Sequence, residues 1–233
     1  MMASGICCKG AVPLPPAIDL ARAGRYFGLR GEAPAAHALL ESLAPQILAA
    51  ARPRMVWAEY APADTPGLFA GRDIDAHLAG CSRFVLLAVT LGAEADKAVR
   101  RAGIGDVAAQ TAADALASAL AEQIADTAGN ILAKLYKNEG LFLTGRYAPG
   151  YGDWPLTAQR QVSTLLELPK NLGVTVTESC LMLPRKSITA VMGIADHPVT
   201  GRLAGCAACA LRDKCDDRKR GLYCGCTNTA ENR

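Results

Sequence analysis

The sequence predicts an α+β protein, in which one domain combines a mixed or antiparallel sheet with a long central helix. A near-continuous apolar run at residues 83–91 has the length of a strand and is typical of a strand buried on both faces. A longer run, at residues 106–137, repeats apolar residues at helical spacing. Helices and strands alternate only in part, which disfavours a regular βαβ array.

The first half of the chain is predicted to form two helices, a strand, a short helix, a buried strand and a surface helix. In chain order these cover residues 16–27, 34–52, 54–60, 73–79, 83–91 and 93–102. Pro34 suits a first helical turn, and Pro53 ends the helix that Pro34 opens. Asp73 is expected to cap the short helix.

The second half is predicted to hold the central helix, an extended segment, a further helix after Asp153, and two strands. The ranges are 106–137, 141–147, 174–177 and 187–194. Asp153 is expected to cap the helix that follows it. Helical and strand periodicity ends after His197-Pro198. We therefore expect an N-terminal tail at 1–15, a domain at 16–200 and a cysteine-rich segment at 201–233.

Composition excludes several classes of protein. Half of the residues are apolar and a fifth are charged, as in ordinary soluble domains. No apolar run approaches the ~20 residues that span a bilayer, and the N-terminus lacks the features of a secretory signal, so we expect a cytoplasmic protein without membrane contact. The net charge of +3 is too small to indicate nucleic acid. Its excess lies after residue 200, in a solvated tail or a docking patch for an acidic partner.

Two short segments carry residues suited to ligand binding. The loop at 146–153 combines Arg146 with glycines and tyrosines. Glycines let a backbone approach a ligand, arginine suits a carboxylate, and a tyrosine face stacks on a base or a cation. The second segment is Thr177-Glu178-Ser179, whose carboxylate and hydroxyls suit a ribose or an ammonium. A tight turn with a structural arginine, and a turn held by hydroxyl side chains, are the respective alternatives.

These segments resemble a known family. The runs RYAPGYGDWPL, LGVTVTES and MLPRKSITAV, followed by His197-Pro198, look like the activation domain of cobalamin-dependent methionine synthase. The earlier segments GRDI, HLAGC and TLG are similar to shorter, free-standing members of that family. Together they cover roughly residues 16–200.

The resemblance implies a methyltransferase-type reactivation component that acts with a partner. In that family, cobalamin oxidised to cobalt(II) is rescued by one electron and a methyl group from S-adenosylmethionine. Arg146 would contact the methionyl carboxylate, and Ala148, Gly150 and Tyr151 would line the same site. Glu178 and Ser179 would lie nearby, at the edge that meets the corrinoid. No residue is expected to act as a general acid or base, because the methyl donor and the metal supply the reactivity.

The chain also departs from the family pattern. It is shorter, so some outer elements of the domain are expected to be missing. The strand that carries an aromatic near the ligand reads Thr189-Ala190-Val191-Met192 here. No cobalamin-binding histidine motif is present, and His37, His77 and His197 are expected to be structural. Cobalamin is therefore expected on a separate methionine synthase or related corrinoid protein, with an electron donor as a further partner.

Five of the nine cysteines lie close together near the C-terminus: Cys206, Cys209, Cys215, Cys224 and Cys226. In a reducing compartment such clustering favours a metal over disulfides. Four thiolates hold either zinc or an iron–sulfur cluster, and the spacing matches no common pattern of either kind. We predict Cys206, Cys209, Cys215 and Cys224 as ligands and favour iron–sulfur, because the implied reaction consumes an electron. A flexible tail is the alternative.

Two other functions stay open on the sequence. In one, the cysteine cluster is the working part, and the protein is an iron–sulfur electron-transfer adaptor. In the other, the protein is a non-catalytic binding partner that stabilises a corrinoid protein. Outside the cluster, Cys7 and Cys8 are candidates for extra ligands, whereas Cys81 and Cys180 are expected to act as small buried apolar residues.

Overall fold

One antiparallel sheet of five strands, in the order β1-β2-β3-β7-β4, forms the middle of the molecule. The computed structural model describes residues 5–29, 33–199 and 201. The strands of the sheet are β1 (Cys8–Ala11), β2 (Arg54–Tyr60), β3 (Arg83–Thr90), β4 (Phe142–Leu143) and β7 (Ser187–Ala195). Two further strands, β5 (Thr175–Val176) and β6 (Met182–Leu183), pair as a separate hairpin.

Helices cover both faces of this sheet. They are α1 (Leu20–Phe27), α2 (Pro34–Ala50), α3 (Arg72–Leu78), α4 (Ala93–Ala102), α5 (Val107–Lys137), α6 (Ala158–Leu165) and α7 (Leu168–Leu172). One hydrophobic core joins one sheet face to α1, α2, α4 and α5, and the other joins the opposite face to α3, α6 and α7. The predicted α+β class with a central helix is confirmed.

Strand β3 shows why an uninterrupted apolar run was needed. Its Val85 and Leu87 belong to the core on the α5 side, while Phe84 and Leu86 belong to the opposite core. Because successive side chains of a strand point to opposite faces, a strand covered on both sides requires apolar residues at every position. The predicted limits of 83–91 agree with the observed β3 to within one residue.

Helix α5 is long and rich in buried alanine. Its 31 residues begin after Asp106, whose carboxylate accepts a hydrogen bond from the Ala109 amide at 3.0 Å. Buried Ala112, Ala113 and Ala117 lie in the core that α5 shares with the neighbouring helices. Small side chains let helices approach closely. The elements around α5 therefore come near its polar residues.

Two local expectations were wrong, one at the N-terminus and one after Asp153. Residues 8–11, expected in a tail, form β1 and pair with β2 at the sheet edge; so short a strand carries little periodic signal. The segment 141–147, expected to be extended, runs along β7: β4 pairs with it, the Thr144 amide donates to the Gly193 carbonyl at 3.0 Å, and Tyr147 forms a bridge with Val191. The helix expected directly after Asp153 begins later, at Ala158. Among the described helices, none is long and apolar enough to cross a membrane.

Candidate functional site

The loop that begins at Arg146 is fastened to the central sheet. The backbone amide of Tyr147 donates to the Val191 carbonyl at 3.0 Å, and the Val191 amide returns a bond to the Tyr147 carbonyl at 2.8 Å. A tight turn follows, in which the Tyr151 amide donates to the Ala148 carbonyl at 3.1 Å. Gly150 adopts φ 90°, a conformation that favours glycine. Backbone hydrogen bonds therefore hold the start of the loop against β7 and close the turn that follows.

Arg146 reaches from this loop to helix α5. Its Nη2 lies 3.1 Å from Oε2 of Glu122 and 2.6 Å from Oδ1 of Asp126, carboxylates one helical turn apart. The aliphatic part of Arg146 lies against α5 at Gly129, where a Cβ would be 3.5 Å from Cδ of Arg146, an ordinary van der Waals contact. Burial alone would lower the pKa of Arg146, but attraction to Glu122 and Asp126 outweighs it and raises the pKa. The guanidinium therefore stays charged.

Helix α1 adds a second arginine to the same carboxylates. Nη1 of Arg22 lies 2.9 Å from Oδ2 of Asp126, and Asp19 caps α1 and lies 3.8 Å from the same guanidinium. One turn further, Tyr26 is half exposed. Burial first, and repulsion from Glu122 next, raise the pKa of the Tyr26 phenol, which therefore stays neutral in the neutral pH range.

The charges of this cluster do not cancel. Two guanidiniums, those of Arg22 and Arg146, are joined by ion pairs to three carboxylates, those of Asp19, Glu122 and Asp126. The cluster therefore carries a net charge of −1. An excess of negative charge in a partly buried setting favours a cationic ligand.

Aromatic side chains form one wall of the loop. The buried ring of Tyr147 lies 4.9 Å from the ring of His77 and 6.1 Å from that of Tyr151, measured between centroids. Tyr151 is half exposed, whereas Trp154 is buried and donates its indole N–H to the Leu68 carbonyl at 2.9 Å. The buried rings thus support Tyr151, whose aromatic ring is half exposed.

The Thr177-Glu178-Ser179 segment forms the turn of the β5–β6 hairpin. The hydroxyl oxygen of Thr177 accepts a bond from the Leu181 amide at 3.0 Å and lies 3.0 Å from the Ser179 hydroxyl. The side chains of Glu178 and Ser179 are exposed.

Helix α6, which follows the Arg146 loop in the chain, ties this hairpin down. Arg160 donates to the Glu178 carbonyl. The amide nitrogen of Gln159 lies 3.1 Å from the Met182 sulfur, while its amide oxygen accepts a bond from Thr189 on β7. The structure therefore joins the two predicted segments through α6.

A family model described as the activation domain of vitamin B12 dependent methionine synthase matches residues 81–200, just over half of the chain. The chain belongs to this family. Among solved structures, the MetH reactivation domain bound to AdoHcy is similar, with a TM-score of 0.57 at 17% identity, over 94% of this chain and 87% of that one. That likeness shows the shared fold. No curated protein matches the sequence.

Membership in the activation-domain family confirms the resemblance carried by the loop and hairpin motifs. Arg146, Ala148, Gly150 and Tyr151 lie together in one turn, and their roles toward a ligand stay predictions. The Gly150 amide donates to the Trp154 carbonyl at 2.9 Å, and a Cβ at Gly150 would lie 3.3 Å from Cδ1 of Leu156. The N–H and the close packing of Gly150 therefore serve the turn itself.

Sequence reasoning missed the acidic pair and its neighbours on α1. The apolar repeat predicted the long helix that carries Glu122 and Asp126 but did not single these residues out, and Arg22 and Tyr26 carried no signal at all. The spacing of four residues between two carboxylates was the available indication, because such residues share one helix face. The sequence does not show which cation lies opposite these two carboxylates, because that depends on how distant segments pack together.

Met192 stands in the strand where the family carries an aromatic. It is buried, and its methyl group lies near Gly129, beside the aliphatic part of Arg146. A flexible thioether therefore packs beside the arginine at this position of β7.

The predicted metal ligands Cys206, Cys209, Cys215 and Cys224 lie outside the described residues. Within residues 5–29, 33–199 and 201, no group of three or more potential ligands is arranged for a metal. Cys180 is buried, as expected, while Cys81 is only partly buried. His77 is buried and its Nε2 lies 3.0 Å from both the Gly145 carbonyl and the Thr144 hydroxyl, which agrees with a structural role.

Proposed function

We propose that this protein binds S-adenosylmethionine at the Arg146 loop and supports the reductive methylation of cob(II)alamin carried by a separate corrinoid protein. The partner would be a cobalamin-dependent methionine synthase or a related protein. The observation that carries the proposal is the Arg146 loop itself, held between β7 and the carboxylates of α5 in a member of the activation-domain family.

The charge of the cluster fits this ligand. S-adenosylmethionine carries a sulfonium, an ammonium and a carboxylate, and so has a net charge of +1, opposite to the −1 of the cluster. In the described part of the chain, Arg146 makes its hydrogen bonds through Nη2. Its Nη1 and Nε are then the donors that a ligand carboxylate would meet. Glu122 and Asp126 would attract the cationic groups.

The remaining residues would orient the ligand rather than react with it. The half-exposed ring of Tyr151 would stack on the adenine, and the turn at Ala148 to Gly150 would let the ligand approach the backbone. The exposed Glu178 and Ser179 would contact the corrinoid side. When bound, S-adenosylmethionine supplies an electrophilic methyl group, so the protein's contribution is to hold that group in line with the acceptor.

The test is methyl transfer in a reconstituted mixture. Cob(II)alamin on the cobalamin-binding module of a methionine synthase is combined with S-adenosylmethionine, a reductant and this protein, and methylcobalamin is followed by its visible spectrum. We expect the wild type to raise the rate and Arg146→Ala to lose most of that gain. Arg101→Ala, which removes an exposed arginine from the last turn of α4, is the control and should keep the wild-type rate. A folded wild type that gives no increase would contradict the proposal.

We further propose that Cys206, Cys209, Cys215 and Cys224 bind a metal, with an iron–sulfur cluster favoured over zinc. The support is the clustering of five cysteines within residues 206–226 in a protein whose proposed reaction needs an electron. Metal analysis and a visible spectrum of anaerobically purified protein, alongside Cys206→Ser and the control Cys180→Ser, test this. A bleachable cluster without S-adenosylmethionine binding would instead support the electron-transfer adaptor. Persistent complex formation without turnover would support a non-catalytic partner.

A further inference from the structure

The end of the Arg146 loop is attached to a helix far away in sequence. The carboxylate of Asp153 accepts hydrogen bonds from the backbone amides of Arg72 at 2.6 Å and Asp73 at 3.0 Å. These are the first amides of α3, whose N-cap residue is Gly71 and has no capping side chain. Asp73 and Asp153 were each expected to cap the helix beside them, so the pairing of Asp153 with α3 corrects both predictions.

Two glycines make this contact possible. A Cβ at Gly71, which has φ 149°, would overlap Oδ1 of Asp153. A Cβ at Gly152, which has φ 53°, would overlap both the Tyr147 hydroxyl and Oδ2 of Asp73. Both glycines also adopt positive φ values that disfavour side chains. The backbone at Gly71 and at Gly152 therefore packs directly against neighbouring side chains, with no space for a Cβ atom.

The ligand-facing turn lies between two fixed points. At one end, Tyr147 bonds to Val191 of the sheet through both of its backbone groups. At the other end, Asp153 bonds to α3, and the adjacent Trp154 is buried. The turn from Ala148 to Gly152 spans these points, so releasing Asp153 removes its bonds to α3 and leaves Trp154 as the remaining attachment at that end.

We infer that Asp153 is a positioning residue, which holds the Arg146 loop in its binding conformation by capping α3 across the site. The inference rests on the proposed function for the identity of the ligand. Loss of an N-cap normally destabilises the helix that it caps. Because the residue that caps α3 belongs to the Arg146 loop, losing this contact would also release the loop. Order in the loop before binding lowers the cost of ligand binding.

The test compares Asp153→Ala, Asp153→Asn and the control Asp106→Ala. Asp106 caps α5 through the Ala109 amide at 3.0 Å. The Asp106→Ala variant therefore removes a cap of the same chemistry outside the loop. Hydrogen exchange is followed at the amides of Gly150, Tyr151 and Trp154, which are bonded within the turn. Calorimetric affinity for S-adenosylmethionine is measured on the same samples.

We expect Asp153→Ala to speed exchange at these three amides and to weaken S-adenosylmethionine binding roughly tenfold, the scale of one lost cap. Asp153→Asn, which keeps one acceptor oxygen, should restore part of both effects. Asp106→Ala should lower the melting temperature and leave both readouts at the wild-type level.

Equal exchange in Asp153→Ala and Asp106→Ala would overturn the inference, as would faster exchange with unchanged affinity. A wild type that binds no S-adenosylmethionine, with exchange still faster in Asp153→Ala, would contradict the proposed ligand and support the attachment of the loop. The hydrogen-exchange rates therefore distinguish a failure of the proposed ligand from a failure of the inference about Asp153. Should Asp153→Ala not fold, Asp153→Asn provides the same comparison.

Discussion

The two ends of one polar stripe on α5 bind cations in similar ways but differ in net charge, since the Lys186–Asp114 ion pair is neutral and the ion-paired cluster around Arg146 carries −1. Asp114, Ser118, Glu122 and Asp126 follow one another at intervals of four residues, a separation that keeps neighbours on one helix face. Lys186 contacts the first two, at 2.8 Å from Asp114 and 2.9 Å from the Ser118 hydroxyl. Arg146 contacts the last two.

At the Lys186 end, the cation is already bound by residues of α5. The lysine is buried and its amine is satisfied by two partners. A cleft of about 490 Å³ opens beside it, and its charged lining residues, Asp96, Arg100, Asp114, Arg185 and Lys186, sum to +1. At the Arg146 end, the cluster sums to −1 and has a half-exposed tyrosine on α1 and another on the loop. A cation-bearing ligand is therefore expected at the Arg146 end.

The largest expected effect comes from neutralising the acidic pair. The double variant Glu122→Gln, Asp126→Asn should weaken S-adenosylmethionine binding by about 10- to 100-fold, because charge-assisted contacts are each worth ~1.5–3 kcal/mol. Asp114→Asn, at the other end of the stripe, is the matched control and should bind as the wild type does. Calorimetric titration measures both. Equal losses in the two proteins would remove the distinction between the ends.

Truncating the lysine should give the reverse pattern. Lys186→Ala should lower the free energy of unfolding by about 1–3 kcal/mol, since it leaves Asp114 and Ser118 without their cation. Denaturant unfolding measures this loss. Affinity for S-adenosylmethionine should stay unchanged. A stable Lys186→Ala protein with weakened ligand binding would show that the Lys186 end, and not the Arg146 end, takes the ligand.

The charge excess should also separate two related ligands. S-adenosylmethionine carries a sulfonium, whereas S-adenosylhomocysteine has a neutral thioether and no net charge. We expect the cationic ligand to bind about 5- to 10-fold more tightly at low salt, because one charge near a partly exposed cluster is worth ~1 kcal/mol. Salt should reduce the preference. Competition titrations at two ionic strengths measure it, and a preference that salt does not change would contradict an electrostatic origin.

The smallest effect is expected from pH. The pKa of Arg146 is raised by its carboxylates, against the effect of burial, and the pKa of Tyr26 is raised by burial and by Glu122. The arginine therefore stays charged and the phenol neutral from pH 6 to well above pH 9. Affinity for S-adenosylmethionine should be nearly flat between about pH 6 and 7, below the ionisation of the ligand's own ammonium. A steep change in that window would point to another titrating group.

The sequence predicted the elements that depend on continuous patterns. Strands β2 and β3, helix α4 and helix α5 were placed to within one residue, because each is long enough for burial on one or both sides to leave a periodic pattern. The loop motif likewise identified Arg146 and Tyr151 as neighbours in a turn. Both successes rest on residues close together in the chain.

The failures concern contacts between distant segments. The attachment of Asp153 to α3 joins residues some eighty positions apart, and no local pattern distinguishes that cap from an ordinary one. In the same way, Arg22 reaches Asp126 across 104 positions. The acidic cluster thus exists only once α1, α5 and the loop have packed together, so its net charge was not available from the sequence.

The most direct test of this account is a single titration series of S-adenosylmethionine into wild type, Arg146→Ala and Lys186→Ala. Removing Arg146 makes its cluster more negative, so an arginine that merely offsets charge would, when lost, strengthen binding of a cation. We predict the opposite, a 10- to 100-fold loss in Arg146→Ala, equivalent to about 1.5–3 kcal/mol, and no change in Lys186→Ala. Equal or tighter binding by a folded Arg146→Ala protein would contradict the assignment of the site.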